Sequence, residues 1–282
     1  MTTDRFALNV LAMISIQRAQ ILGLGSLVAL ALCAASARGQ TNLNIHRATL
    51  MEADQKTPDL STEELRQILR DKSATVFDAR PFKEYAISHI PGAVNVAAKP
   101  GVAISLYVSD TAEIGRVVKE DKAAAIVLYC NGPFCGKSKQ LAAELLEAGY
   151  TNVRRYQLGI PVWRALGEVT QIEPAGIQHV VANDRTAVLI DCRDGADFKS
   201  GSVPGAKSLP VGLVKEGKDV GEVKAAKDDG RLPMEDHNTR IIVFGKTAAE
   251  STKVAQAIAK EAFHNVSFFD GTVDQLKATL SR

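Results

Sequence analysis

Residues 125–146 read Ala-Ile-Val-Leu-Tyr-Cys-Asn-Gly-Pro-Phe-Cys-Gly-Lys-Ser-Lys-Gln-Leu-Ala-Ala-Glu-Leu-Leu. The apolar run that closes at Tyr129 has the length of a buried strand. Beyond the Gly-Pro loop, Leu and Ala recur at helical spacing, which predicts a helix over 138–148 with Gly149 as its stop. Cys130 therefore lies at a strand end facing a helix start. Loop N–H groups and a helix N-terminus converge there, and both favour a thiolate over a thiol.

Working outward, the second half of the chain repeats the first at an offset near 113 residues. Val76-Phe77-Asp78-Ala79-Arg80 returns as Leu189-Ile190-Asp191-Cys192-Arg193, and Glu84-Tyr85 as Asp197-Phe198. His89-Ile90-Pro91-Gly92-Ala93 returns as Ser202-Val203-Pro204-Gly205-Ala206, and Tyr150-Thr151-Asn152-Val153 as Phe263-His264-Asn265-Val266. The chain is a duplication of one unit. Each copy reads as short apolar strands over 74–77, 124–129 and 153–156 alternating with helices. One helix covers 62–69, with Ser61 as its cap facing Glu64. This pattern predicts an α/β fold, with a parallel-type sheet in each domain and helices on both faces. The boundaries read as a leader to residue 56, domain 1 over 57–168 and domain 2 over 169–282.

Taken together, Asp78-Ala79-Arg80, Glu84-Tyr85, His89-Ile90-Pro91-Gly92-Ala93, Cys130 and Gly159-Ile160-Pro161-Val162-Trp163 resemble the rhodanese family of sulfurtransferases. The resemblance implies that Cys130 attacks a sulfane sulfur, becomes a persulfide and passes the sulfur to a thiol or cyanide. It also implies that the loop Asn131, Gly132, Pro133, Phe134, Cys135, Gly136, Lys137 and Ser138 cradles the anion through its N–H groups. The chemistry agrees, since sulfur transfer needs a soft nucleophile and fixed donors and calls for no metal or organic cofactor. The implied partners are a small sulfur donor and a thiol acceptor, which includes a protein thiol.

The second copy has Gly245 where the nucleophile belongs, so domain 2 is expected to be catalytically silent. The loop of the first copy is two residues longer than its repeat and carries Gly136 and Lys137 where many family members have arginine. Lysine gives charge without a bidentate fork, which weighs against thiosulfate as preferred donor and against a cysteine-loop phosphatase. Cys135 is open between a resolving thiol, a disulfide partner and a packing residue. Cys192 reads as core. Asp78 and Arg80 recur in the silent copy and so read as an ion pair or cap that holds a loop. His89 reads as a loop tie with a catalytic role as the alternative, and Trp163 as a residue packed beside the active loop. The charged run 215–231 reads as a solvated loop.

Composition sets outer limits. The 282 residues are 46% hydrophobic and 23% charged with a net charge of +2, which fits two globular domains and argues against a nucleic-acid partner. Residues 21–37 carry no charge, follow Arg18 and end in Ala35-Ser36-Ala37. That pattern predicts a signal peptide cleaved after Ala37, with Met13 as an alternative start. The mature chain is then periplasmic or secreted and not membrane-inserted. An uncleaved N-terminal anchor is the alternative. Besides sulfur transfer, two readings stand: a thiol-redox or persulfide relay through Cys130 and Cys135, and a non-catalytic binding module.

Overall fold

The computed structural model describes residues 55–133 and 135–281. The segment read as a signal peptide and most of the segment read as a leader lie outside the described residues, as does Phe134 of the loop. Residues 54–282 form one compact unit.

The first copy opens with α1 (Thr62–Asp71), whose Ser61 hydroxyl accepts from the N–H of Glu64 while the Glu64 carboxylate accepts from the N–H of Ser61. The reciprocal cap satisfies two orphan donors, as the Ser-x-x-Glu spacing predicts. Then come β1 (Thr75–Asp78), α2 (Phe82–Ile87), β2 (Val94–Asn95), α3 (Asp110–Val117), β3 (Ile126–Tyr129), α4 (Gly136–Glu147), β4 (Val153–Tyr156) and α5 (Gly159–Ala165). The sheet is parallel throughout, in the order β2-β1-β3-β4. All four residues of β3 are buried, as befits a strand with helices on both faces. Two apolar layers sandwich it: Leu65, Val127, Tyr156 and Trp163 on one side, Phe77, Leu128, Leu141 and Leu145 on the other.

The second copy runs β5 (Thr170–Gln171), α6 (Pro174–Asn183), β6 (Val188–Asp191), α7 (Gly195–Ser200), β7 (Lys207–Ser208), α8 (Gly221–Asp228), β8 (Ile241–Gly245), α9 (Ala248–Ala259), β9 (Val266–Thr272) and α10 (Val273–Leu280). Its five-stranded parallel sheet has the order β5-β9-β8-β6-β7. The same β1-β3-β4 core order returns as β6-β8-β9, which the constant offset between the copies anticipates.

Two expectations are corrected. Helix α4 starts at Gly136, two residues before Ser138, because Cys135 already has the extended backbone of an N-cap. The charged run 215–231 is not a loop throughout: it contains α8, which buries Val223 and Ala226 in the domain core. Within it, Lys227 pairs with the buried Glu261 at 2.7 Å. Among the described residues, no helix is long and apolar enough to cross a membrane.

Candidate active site

The strand that delivers Cys130 is anchored one residue earlier. The Tyr129 hydroxyl donates to Asp78 Oδ2 at 2.6 Å and accepts from the N–H of Ile90 at 3.1 Å. Asp78 in turn holds Arg80 through Nε and Nη2, and Arg80 Nη2 also reaches the carbonyl of Ser88 at 2.6 Å. Asp78 and Arg80 are both buried. Burial pushes the Tyr129 phenol well above its usual pKa, so it remains a donor. The second copy repeats the device: Asp191 holds Arg193, which reaches the carbonyl of Gly201 at 2.8 Å. Phe244 there has no hydroxyl, and Ser202 Oγ supplies the missing donor to Asp191 at 2.6 Å. Asp78 with Arg80 in the first copy, and Asp191 with Arg193 in the second, each hold a loop.

Cys130 itself is 3% exposed. Its carbonyl accepts from the N–H of Ile160 at 3.2 Å, which draws the start of α5 against the loop. Gly159 makes that approach available: its φ is +65°, and a Cβ there would strike the Cys130 carbonyl and the Gly132 amide. Gly132, at φ +107°, turns the loop, and its carbonyl accepts from the N–H of Cys135 at 3.0 Å. Cys130 and Cys135 are joined by a disulfide with their Cα atoms 6.2 Å apart. In this state the Cys135 N–H is committed to Gly132, and Pro133 has no N–H to offer an anion.

The other loop residues are individually placed. Asn131 donates to Glu84 at 2.5 Å. Lys137 lies 3.4 Å from Asp110, so part of its charge is already answered. Ser138 is buried, and its hydroxyl is 3.4 Å from Arg155 Nη2. Arg155 was not singled out from the sequence. It is 2% exposed and stands on β4 where the second copy has Phe268. That contrast between copies, a buried cation in one and a ring in the other, was the available signal. Arg155 brings a guanidinium to the first turn of α4 from below, although the loop itself carries no arginine.

His89 is stacked on Tyr85, with centroids 3.9 Å apart, and 1% exposed. Its Nδ1 lies 3.0 Å from the Tyr85 carbonyl, an atom that only accepts, so Nδ1 carries the proton. Burial lowers its pKa to about 4, leaving it neutral with Nε2 turned toward Glu173 at 3.7 Å. These contacts tie a loop. Trp163 donates from Nε1 to the Val169 carbonyl at 2.9 Å and meets Tyr156 edge to face.

In the second copy, Lys246 alone separates Gly245 from the N-cap Thr247, and it pairs with Asp194 and Asp197. A Cβ at Gly245 would strike Cys192 Sγ. The thiol of this copy thus occupies the space its nucleophile would need. Burial pushes Cys192 up to about 12. Among the described residues, no group of three or more His, Cys, Asp or Glu is placed to hold a metal.

The sequence profile of the rhodanese-like domain matches the chain twice, over residues 61–166 and 178–279. The chain belongs to the rhodanese-like family. An inferred mitochondrial thiosulfate sulfurtransferase of Schizosaccharomyces pombe is 27% identical over 90 residues, 32% of this chain and 62% of the relative. An HTH-type transcriptional regulator of Mycobacterium tuberculosis is 30% identical over 104 residues, 36% of this chain and 40% of the relative. This rhodanese-like chain therefore spans only part of each curated relative. Among solved structures it is similar to the thiosulfate sulfurtransferase of Pseudomonas aeruginosa, with 19% identity, a TM-score of 0.34, and coverage of 78% of this chain and 42% of that one. It is likewise similar to SseA of Escherichia coli, described as a 3-mercaptopyruvate sulfotransferase with the rhodanese fold. There the identity is 20%, the TM-score 0.33, and the coverage 77% of this chain and 99% of that one.

Proposed function

We propose that this rhodanese-like chain is a sulfurtransferase with one working site, at Cys130 of the first copy. The observation that carries the reading is the asymmetry between the copies. The Cys130 strand end leads into residues 131–133 and on to the N-terminus of a 12-residue helix, with Arg155 beside its first turn. The equivalent strand end at Gly245 is filled by Cys192 and bridged by Lys246.

In the reduced protein, the Cys130 thiolate attacks the outer sulfur of a donor. With thiosulfate, the S–S bond breaks, sulfite leaves with the bonding pair, and Cys130 becomes a persulfide. An acceptor thiolate or cyanide then takes the outer sulfur, giving a new persulfide or thiocyanate and returning the Cys130 thiolate. The loop N–H groups and the helix N-terminus stabilise the persulfide charge.

The Cys130–Cys135 disulfide favours a second reading, a thiol-redox or persulfide relay. Here Cys135 attacks the inner sulfur of the Cys130 persulfide. A disulfide forms, the outer sulfur leaves as hydrogen sulfide, and an external thiol must reduce the disulfide before the next turnover.

Intact-mass measurement separates the readings. The reduced protein incubated with thiosulfate or mercaptopyruvate should gain one sulfur, and Cys130→Ser should abolish the gain. No gain, with two hydrogens lost on oxidation, would support the relay alone. Neither change would leave a binding module. Cys135→Ser should lengthen persulfide lifetime if Cys135 resolves and leave it unchanged if the thiol only packs.

A further inference from the structure

A cavity of about 260 Å³ lies where the C-terminal end of α5 meets the loops that precede β8 and β9. Pro161, Arg164, Ala165, Asn238, His264 and Asn265 line it. None of these belongs to the Cys130 loop, and the cavity takes its walls from both copies.

Its polar groups are unbalanced. Arg164 donates from Nη1 to Asn265 Oδ1 at 3.2 Å and forms no ion pair among the described residues. Arg240, two residues beyond Asn238, is near enough for the two guanidiniums to repel, and its one carboxylate partner is Asp184 at 3.8 Å. Burial and this like charge hold Arg164 below its usual pKa, and burial does the same for Arg240. Arg240 Nη1 and His264 Nδ1 are both buried without a hydrogen-bond partner. A half-buried guanidinium that no carboxylate answers, as at Arg164, is costly unless something negative compensates it. Such a site offers planar N–H donors and amides at a rim where Pro161, Ala165 and Asn238 are exposed.

We propose that this cavity binds a small oxoanion of the sulfate or phosphate class, held directly by Arg164 and the Asn238 and Asn265 amides, with Arg240 supplying the field behind them. Acidic peptides and nucleotides fit less well, because the lining has no second exposed cation and its one ring, His264, is only partly exposed.

The test is calorimetric titration of sodium sulfate, and separately sodium phosphate, into the full chain at constant ionic strength in chloride. One-to-one binding of either anion is expected, and the two arms show which is preferred. Arg164→Gln should weaken it at least tenfold, while Cys130→Ser should leave it unchanged, which keeps this site distinct from the thiol loop. Asn238→Ala, at an exposed rim position, should weaken binding several-fold and decides the matter if Arg164→Gln does not fold. Absence of binding, binding lost in Cys130→Ser, or binding unchanged in a folded Arg164→Gln would each overturn the proposal.

Discussion

Asp78 and Asp191 perform one task in two settings, so a matched pair of substitutions measures what burial adds. Arg80 is 4% exposed and Arg193 12%. Asp78→Asn strands a buried guanidinium and should cost about 3–5 kcal/mol. Asp191→Asn should cost less, because Arg193 regains more water. Urea denaturation of both variants checks the order. His89 gives a pH signature. Its pKa falls from 6.5 unfolded to about 4 folded, so between those values the unfolded chain holds a proton that the folded chain does not. Stability must therefore drop as pH falls from about 6.5 toward 4, by up to roughly 3 kcal/mol, and level off below. The neighbouring Glu173, whose pKa burial raises, works in the opposite sense. The His89 share is thus the difference between wild type and His89→Gln, each referred to its own stability at pH 8. Parallel curves for the two proteins would show that His89 does not titrate in this window.

At the scale of elements, the two copies have exchanged a pair of side chains across one packing contact. Ala79 and Cys130 in the first correspond to Cys192 and Gly245 in the second. In the second copy a Cβ at Gly245 would strike Cys192 Sγ, so the position facing that thiol admits only a glycine. Gly245→Cys alone overpacks this contact and should cost about 1–3 kcal/mol. Adding Cys192→Ala should recover most of that loss, a coupling a double-mutant cycle reads directly. Additive costs would mean that the two positions do not share the space. The sequence showed the glycine and the cysteine separately but not their contact. It did show the elements whose periodicity or cap was read, such as β4 and the Ser61–Glu64 box, but not α10, although Thr272 and Gln275 form the same kind of box. Strands β2, β5 and β7 escaped it, since two residues carry no period. The start of α4 was misplaced because Gly136 and Lys137 have no apolar face, and Arg155 was missed because its burial depends on which strand lies above it. The anion cavity was out of reach, as it needs both copies assembled.

Over the whole molecule, the copies are joined through a short backbone seam. The N–H groups of His89 and Gln171 each donate to the other's carbonyl, at 3.0 and 2.8 Å, and the N–H of Glu173 donates to Ala86 O at 2.8 Å. Strand β5 meanwhile pairs with β9, so Gln171 belongs to the second sheet while its backbone is bonded to His89 of the first copy. Ile87 extends the contact by packing on the apolar cluster of Ile177 and Val180. Gly176 on α6 is the tightest point, for a Cβ there would strike the backbone of Ala86 on α2. The seam should make both copies unfold as one cooperative unit, since each would otherwise expose backbone groups that the other satisfies. Calorimetry of the wild type should therefore give a single transition with equal calorimetric and van't Hoff enthalpies. Gly176→Ala cannot be relieved by a rotamer change, because the opposing atoms are backbone, so α6 must move away from α2. The variant should lose about 2 kcal/mol or more, by the usual cost of overpacking against a rigid wall. It should also show two separable transitions. A Gly176→Ala protein that still melts in one step, near the wild-type temperature, would mean that the seam does not couple the copies.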